Sequence, residues 1–374
     1  FHYFPSLVNY NETFFEAYDK ANRLFADQLK SIIQPGDFIW VHDYQLMLLP
    51  EMIRQDFPEA TIGFFLHIPF PSYEIFRLLP RIWGTSILNG MLGSNLVGFH
   101  TKEYCRYFLH SIQQTQKYKH LKNSIFIDKR TIRINVFPIG IDYEKFHTAC
   151  LSNEVEEEKQ RLRKLILDKK LVFSVDRLDY TKGLLARLDG IEYFLDNNPQ
   201  WLEKVIFNMV VIPSRDSIVR YMKMKKDIES TVARINGKYN NIGWTPIIYQ
   251  YTSLTFAELV ALYDLSDAGL ITPLRDGMNL VAKEYVACQV DNKGILILSE
   301  MTGAASELKE SIIINPVDHK EISDAIRLAL EMPKEEVESR ILKMQKRISA
   351  YDVFTWSSEF FKQAGTIKQS KNPQ

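Results

Sequence analysis

The chain has few cysteines, no surplus of charge of either sign and no long apolar run. Its three cysteines, Cys105, Cys150 and Cys288, lie far apart with no Cys-x-x-Cys among them. That excludes a disulfide framework or zinc ribbon and points to free, buried thiols in a reducing compartment. Lys+Arg and Asp+Glu each number 46, so the formal net charge is zero. No basic field exists to recruit nucleic acid or an anionic membrane. No apolar stretch approaches the roughly 18 residues of a membrane helix, and the first residues lack a charged-then-apolar leader pattern. The expectation is a soluble, cytoplasmic protein whose partners are small molecules. The sequence leaves its oligomeric state open, a homo-oligomer included.

Several ligand motifs are missing as well. No Gly-x-Gly-x-x-Gly follows a candidate strand, and no Gly-x-x-x-x-Gly-Lys-[Ser/Thr] occurs, which excludes a dinucleotide fingerprint and a phosphate-binding P-loop. No Asp-x-Asp pair is present to hold a nucleotide diphosphate through a metal. The reading therefore carries no metal and no cofactor.

What is present is ample core material, 46% hydrophobic and 25% charged in 374 residues, enough for two domains. Continuous Val/Ile/Phe/Leu runs mark candidate strands at Phe38–Val41, Thr61–Leu66, Leu96–Phe99, Thr131–Phe137, Leu171–Val175, Val205–Ile212, Pro246–Tyr251, Ala268–Thr272, Ile295–Leu298 and Ser311–Ile314. Helix-period segments separate them, among them Phe14–Ile33, Thr101–Gln116, Leu184–Asn197, Asp216–Gly237 and His319–Met332. Strands apolar throughout and alternating with helices predict an α/β chain with parallel sheets buried on both faces. The turn Pro138-Ile-Gly-Ile-Asp142 suggests a hinge. The expected organisation is two doubly wound, Rossmann-like domains facing a cleft, 1–145 and 146–350, followed by a C-terminal aromatic helix and polar tail, 351–374.

Residues just after strands matter most, because open α/β sheets bind ligands at the carboxyl ends of their strands. His42-Asp43 follows the first candidate strand, and Asp43 alone could equally cap the next helix. His67-Ile-Pro-Phe-Pro71 follows the second, with two prolines to stiffen the backbone, though a lone His67 could be a satisfied core histidine. Asp176-Arg177-Leu-Asp179-Tyr-Thr-Lys182-Gly183 projects a guanidinium fork and an ammonium within one turn, a pair suited to a diphosphate. The competing reading is a surface salt bridge to Asp176 or Asp179. Arg215 follows another strand. The segment Thr272–Ala287 carries Arg275-Asp276-Gly277 between a strand and a helix, where backbone N–H groups and the helix dipole favour an anion. If helical throughout, Asp276 and Glu284 stand two turns apart, roughly 12 Å, the length of a nucleotide sugar.

Taken in order, His42-Asp43-Tyr44, Leu66-His-Ile-Pro-Phe-Pro71-Ser-Tyr-Glu-Ile-Phe-Arg77, Pro138-Ile-Gly-Ile141, Asp176–Gly183, Asn236-Gly-Lys-Tyr239, Gly243-Trp-Thr-Pro246 and Thr272–Ala287 resemble the trehalose-6-phosphate synthases. These are retaining glycosyltransferases of two-Rossmann (GT-B) architecture that move glucose from UDP-glucose to glucose 6-phosphate. The resemblance implies that Arg177 and Lys182 hold the donor diphosphate and Glu284 the ribose hydroxyls. It places backbone groups of Gly277, Met278, Asn279, Leu280 and Val281 against phosphate and sugar, and Asp276 on glucose hydroxyls. His67 would bond near the glucose 6-hydroxyl, with Asp43 and Arg215 lining the acceptor.

The resemblance also implies a strand, an arginine and a Gly-Gly loop upstream of Phe1, so the N-terminal sheet is expected to be incomplete. Two alternatives stay open. One is a related phosphosugar transferase, a glucosylglycerol-phosphate synthase or a pseudo-glycosyltransferase. The other is a non-catalytic, synthase-like binding subunit.

Overall fold

The computed structural model describes residues 1–374 except 117, 128–129, 215–217 and 370–374, with backbone alone at 119, 120 and 367–369. The chain divides into two compact units, Phe1–Ile139 with Phe354–Gln374, and Gly140–Val353. The C-terminal helix therefore belongs with the first unit, and the division falls at Ile139/Gly140.

The first unit is built on a six-stranded sheet. Its strands are β1 (Phe38–His42), β2 (Thr61–Phe65), β3 (Leu96–Phe99), β4 (Lys119–Leu121), β5 (Ser124–Ile127) and β6 (Arg130–Val136), in the order β1-β2-β3-β6-β5-β4. β1, β2, β3 and β6 run parallel, while β4, β5 and β6 form an antiparallel meander at one edge. The parallel part is apolar as expected, with Phe64, Phe65, Val97 and Phe99 fully buried. The C-terminal helix Val353–Gln369 lies across it. A Cβ at Gly63 of β2 would stand 2.6 Å from the Phe360 ring and one at Gly98 of β3 would stand 2.8 Å from it. Both positions accept only glycine while Phe360 fills that groove.

The second unit holds β7 (Lys170–Arg177), β8 (Val205–Ile212), β9 (Ile247–Tyr251), β10 (Ala268–Ile271), β11 (Ile295–Ser299) and β12 (Ile312–Ile314). They form one parallel sheet ordered β12-β11-β10-β7-β8-β9. From β7 the chain winds outward through β8 and β9, then returns to the other side of β7 as β10. The strand order thus reverses between β7 and β10. In doubly wound sheets that switch point is where the loops diverge and leave room for a ligand.

The expected strands are all present to within two residues. The β4–β5 hairpin and helices Arg81–Leu92 and Lys334–Ala350 are additions. The helix expected over Asp216–Gly237 is Val219–Tyr239, and Asp216 lies outside the described residues. Among the described residues, no helix is long and apolar enough to cross a membrane. Cys105, Cys150 and Cys288 are all buried free thiols.

Candidate active site

The loops after β7 and β10, the two strands flanking the switch point, carry the predicted cations and Asp276. After β7 the chain makes a tight turn. Asp179 Oδ1 accepts from Thr181 N at 2.9 Å, and Gly183 takes φ +66° before helix Leu184–Asn197 begins. Thr181 O accepts from Leu274 N at 2.7 Å, which ties this turn to the segment after β10. The approach is close enough that a Cβ on Gly183 would meet Thr272 O at 2.6 Å. Glycine answers both demands, the left-handed backbone and the tight contact.

This arrangement brings Lys182 and Asp276 together. Lys182 Nζ lies 2.6 Å from Asp276 Oδ2 and 3.8 Å from Asp176 Oδ1, with the lysine side chain 14% exposed. Burial works to lower its pKa, but Asp276 and Asp176 outweigh that and the net shift is upward, so Lys182 stays an ammonium. The surface salt-bridge reading is corrected in part. Lys182 does pair with Asp176, but as a member of a half-hidden network dominated by Asp276, while Asp179 accepts from the Thr181 backbone N–H and hydroxyl and from the Tyr221 hydroxyl. Arg177, by contrast, is exposed at the end of β7, and its guanidinium makes no hydrogen bond or ion pair among the described residues. Its repulsion of Lys182 shows that the two cations share one field.

Beneath them sits a pair the sequence did not announce. Arg187, fully buried, donates from Nη2 to Asp176 Oδ2 at 2.6 Å and from Nε to Thr272 Oγ1 at 2.9 Å. It locks the end of β7 to the end of β10. Its only sequence signal is its place one helical turn beyond Gly183, and nothing in the pattern marks it as buried.

Asp276 is not on a helix. The helix begins at Leu280, and residues 276–279 form a loop clamped onto a neighbouring turn by Asp276 N to Met301 O at 3.1 Å and Ala304 N to Met278 O at 2.8 Å. The two-turn spacing expected between Asp276 and Glu284 is therefore corrected. Asn279 takes φ +76° as N-cap, accepts from Ala282 N at 3.1 Å and donates to Asp276 Oδ2 at 3.2 Å. Among the described residues the N–H groups of Leu280 and Val281 have no hydrogen-bond partner, which is the usual anion-binding end of a helix. Gly277 and Met278 are buried beneath this turn. On the same helix Glu284 accepts from the Tyr263 hydroxyl at 3.1 Å, and burial raises its pKa although that bond opposes the shift. Tyr263 was likewise missed. It lies in an apolar helix run that reads as core.

In the first unit, Asp43 and His67 come together at the ends of β1 and β2. Asp43 takes φ +67°, and its Oδ1 accepts from His67 N at 3.2 Å. Burial raises its pKa against the lowering effect of the Tyr44, His67 and Ile68 backbone N–H groups. Its carboxylate thus bridges to the His67 loop instead of simply capping a helix. His67 is not a satisfied core histidine. Its Nε2 lies 3.0 Å from His42 Nδ1, and its other nitrogen has no partner among the described residues. Burial lowers the pKa of both rings to about 4. Arg215 lies outside the described residues. Among those residues, no group of three or more His, Cys, Asp or Glu side chains is disposed to hold a metal ion.

Comparison with known proteins gives these features a context. Residues 1–366 match glycosyltransferase family 20. A bifunctional trehalose-6-phosphate synthase/phosphatase of Thermoproteus tenax is 45% identical over 96% of the chain, which spans about half, 49%, of that relative's length. Two solved structures superpose closely. One is an E. coli protein named for trehalose-6-phosphate and bound with UDP-2-fluoro glucose, at TM-score 0.94 and 36% identity, covering 99% of this chain and 81% of that one. The other is a UDP-forming α,α-trehalose-phosphate synthase of Burkholderia xenovorans in complex with glucose-6-phosphate, at TM-score 0.93 and 33% identity, covering 97% and 81%.

Proposed function

The chain belongs to glycosyltransferase family 20, and from that premise we propose that it transfers glucose, with retention, from UDP-glucose to glucose 6-phosphate, giving α,α-trehalose 6-phosphate and UDP. The observation that carries the reading is the cationic pair Arg177 and Lys182 at the β7–β10 switch point, beside Asp276 and a helix N-terminus whose Leu280 and Val281 N–H groups have no partner among the described residues.

In this reading Arg177 and Lys182 hold the diphosphate, and the backbone from Gly277 through Val281 supplies N–H groups to phosphate and sugar. Glu284, steadied by Tyr263, takes the ribose hydroxyls. Asp276 meets glucose hydroxyls, His67 bonds the sugar, and Asp43 with Arg215 lines the acceptor. The two cations neutralise charge growing on the leaving diphosphate, the work a metal ion does elsewhere, so no metal or cofactor is invoked.

Asp276 is engaged by Lys182 and Asn279, which suits a hydroxyl ligand better than a covalent nucleophile. The proposed step is front-face substitution. The bond from the glucose anomeric carbon to the diphosphate oxygen breaks while the acceptor's anomeric oxygen bonds to the same face. The acceptor proton passes to the departing phosphate oxygen. The names of the relatives favour this product over a glycerol phosphate acceptor or a carbon–nitrogen bond.

The test is direct. Incubation with UDP-glucose and glucose 6-phosphate should yield UDP and trehalose 6-phosphate in equal amounts. Product formed with glycerol 3-phosphate instead identifies the related transferase, and UDP binding without turnover with either acceptor identifies the binding subunit.

A further inference from the structure

His42 has no role in the proposed function, yet among the described residues it makes the one protein hydrogen bond to the His67 ring. His42 closes β1 in register with Phe65 of β2. Phe65 and His67 are two residues apart in extended chain, so their side chains share a face of the sheet, and their ring centroids lie 4.7 Å apart. The His42 and His67 rings are stacked at 16° with centroids 5.3 Å apart, and His42 Nδ1 faces His67 Nε2 at 3.0 Å. Trp40 packs on the His42 ring at 4.5 Å, and His100 and Trp356 flank His67 at 5.4 and 6.2 Å. Neither ring is free to turn away without disturbing this cluster.

Two imidazole nitrogens at hydrogen-bond distance cannot both be bare, and two neutral rings cannot both present a proton there. Burial keeps both rings neutral near neutral pH. One proton therefore lies between them, and its owner sets both tautomers. If His42 Nδ1 owns it, both rings are Nδ1–H forms. If His67 Nε2 owns it, both are Nε2–H forms, the tautomer a free imidazole side chain prefers. Neither ring's other nitrogen has a protein partner among the described residues to reverse that preference.

We infer that His42 is a positioning residue that fixes His67 as its Nε2–H tautomer, so that His67 Nδ1 is presented bare, as an acceptor for a hydroxyl of the bound sugar. The sugar as ligand rests on the proposed transferase function, whereas the tautomer does not. His42 acts only through His67, and its contribution is orientation and protonation state.

The experiment has two independent arms. In the 15N-labelled protein near neutral pH, long-range proton–nitrogen correlation should show His67 Nε2 protonated and Nδ1 bare. In His42→Phe the His67 signals should move toward a mixture of tautomers. In the kinetic arm, His42→Phe should lower kcat/KM for UDP-glucose about tenfold, the scale of one oriented hydrogen bond. His42→Asn, whose amide oxygen can accept from His67 Nε2–H, should recover most of the loss. In a His67→Asn background, His42→Phe should cost nothing further. A protonated His67 Nδ1 in the unmodified protein overturns the inference, as do losses that multiply between His42→Phe and His67→Asn. Absence of turnover in the unmodified protein overturns the transferase reading alone, and the nitrogen spectra still decide the tautomer.

Discussion

Lys182 Nζ stands 2.6 Å from Asp276 Oδ2, so the cation expected to meet the donor diphosphate and the carboxylate expected to meet its sugar are bonded to each other. The two residues are 94 apart in sequence, and only the β7–β10 pairing brings them together. Each restrains the other. Lys182→Met should weaken UDP binding by about 1.5–3 kcal/mol, the worth of a charge-assisted contact, or roughly 10- to 150-fold in Kd. Asp276→Asn should reduce transfer more than it reduces UDP affinity. Calorimetric titration of UDP into both single variants and the double variant should return a coupling of about 0.5–3 kcal/mol. Strict additivity would mean that the contact has no energetic consequence.

Arg187 should be a stability residue rather than a ligand. Its guanidinium is fully buried against Asp176 and Thr272. Among the described residues, Arg187→Met leaves the buried Asp176 carboxylate with only Lys182 at 3.8 Å for compensation. Removing one partner of a buried pair costs about 3–5 kcal/mol. Urea denaturation should show that loss. A change under about 1 kcal/mol would mean that water reaches the pair.

Tyr263 should matter to Glu284 more than to the core. Tyr263→Phe keeps the packing and removes a hydroxyl 3.1 Å from Glu284 Oε2. Glu284 already has its pKa raised by burial, and the Tyr263 hydroxyl, with a smaller contribution from Lys145, opposes that rise. Without the hydroxyl, Glu284 should hold its proton to higher pH, so UDP-glucose affinity should fall by about 1 kcal/mol and fall further as pH is lowered. An affinity equal to that of the unmodified protein across the pH range would dismiss Tyr263 as a support.

The His42–His67 pair predicts a pH dependence of folding. Both rings have pKa lowered to about 4 by burial, against 6.5 for an ordinary histidine. Between those values the unfolded chain binds more protons than the folded one, so stability rises with pH. The contribution is complete above about pH 6.5 and is lost as pH falls toward about 4. The raised pKa of Asp43 acts in the opposite sense at the acid end. Urea midpoints measured across this window should drop as pH is lowered, and should drop less steeply in His67→Asn. An equal slope in that variant would place the titration elsewhere.

The parts of this architecture readable in advance were those in which local pattern and tertiary fate coincide. Strands such as Val205–Ile212 and Ile295–Ser299 are apolar throughout because parallel sheets bury both faces. The β4–β5 hairpin was not readable. Its strands Lys119–Leu121 and Ser124–Ile127 are short and mixed in polarity, and they persist because the second pairs with β6 and the first with the second. Helix Arg81–Leu92 carries two glycines and no clear polar face, which hides its period. At the site, Arg177, Lys182 and Asp276 could be picked out because they follow strands. The buried supports Arg187 and Tyr263 could not, and His42, visible after the first strand, gave no sign of its bond to His67. A buried arginine or tyrosine differs from a surface or core one only in its neighbours, and those come from elsewhere in the chain.

Gly183 joins both aspects in one residue. It sits at φ +66°, and a Cβ there would meet Thr272 O at 2.6 Å. Gly183→Ala therefore meets two penalties, a left-handed backbone and a collision with a carbonyl on the strand–loop junction that leads to Asp276. Strain of this kind costs about 1–3 kcal/mol. Relief requires the Lys182 turn to move away from residues 272–276, because Thr181 O also holds Leu274 N at 2.7 Å. The expected outcome is thus a joint loss, with a lower urea midpoint and, at a temperature where the variant is fully folded, weaker UDP binding through a displaced Lys182. Loss of stability with unaltered UDP affinity would show that the two loops bind the donor without needing this register.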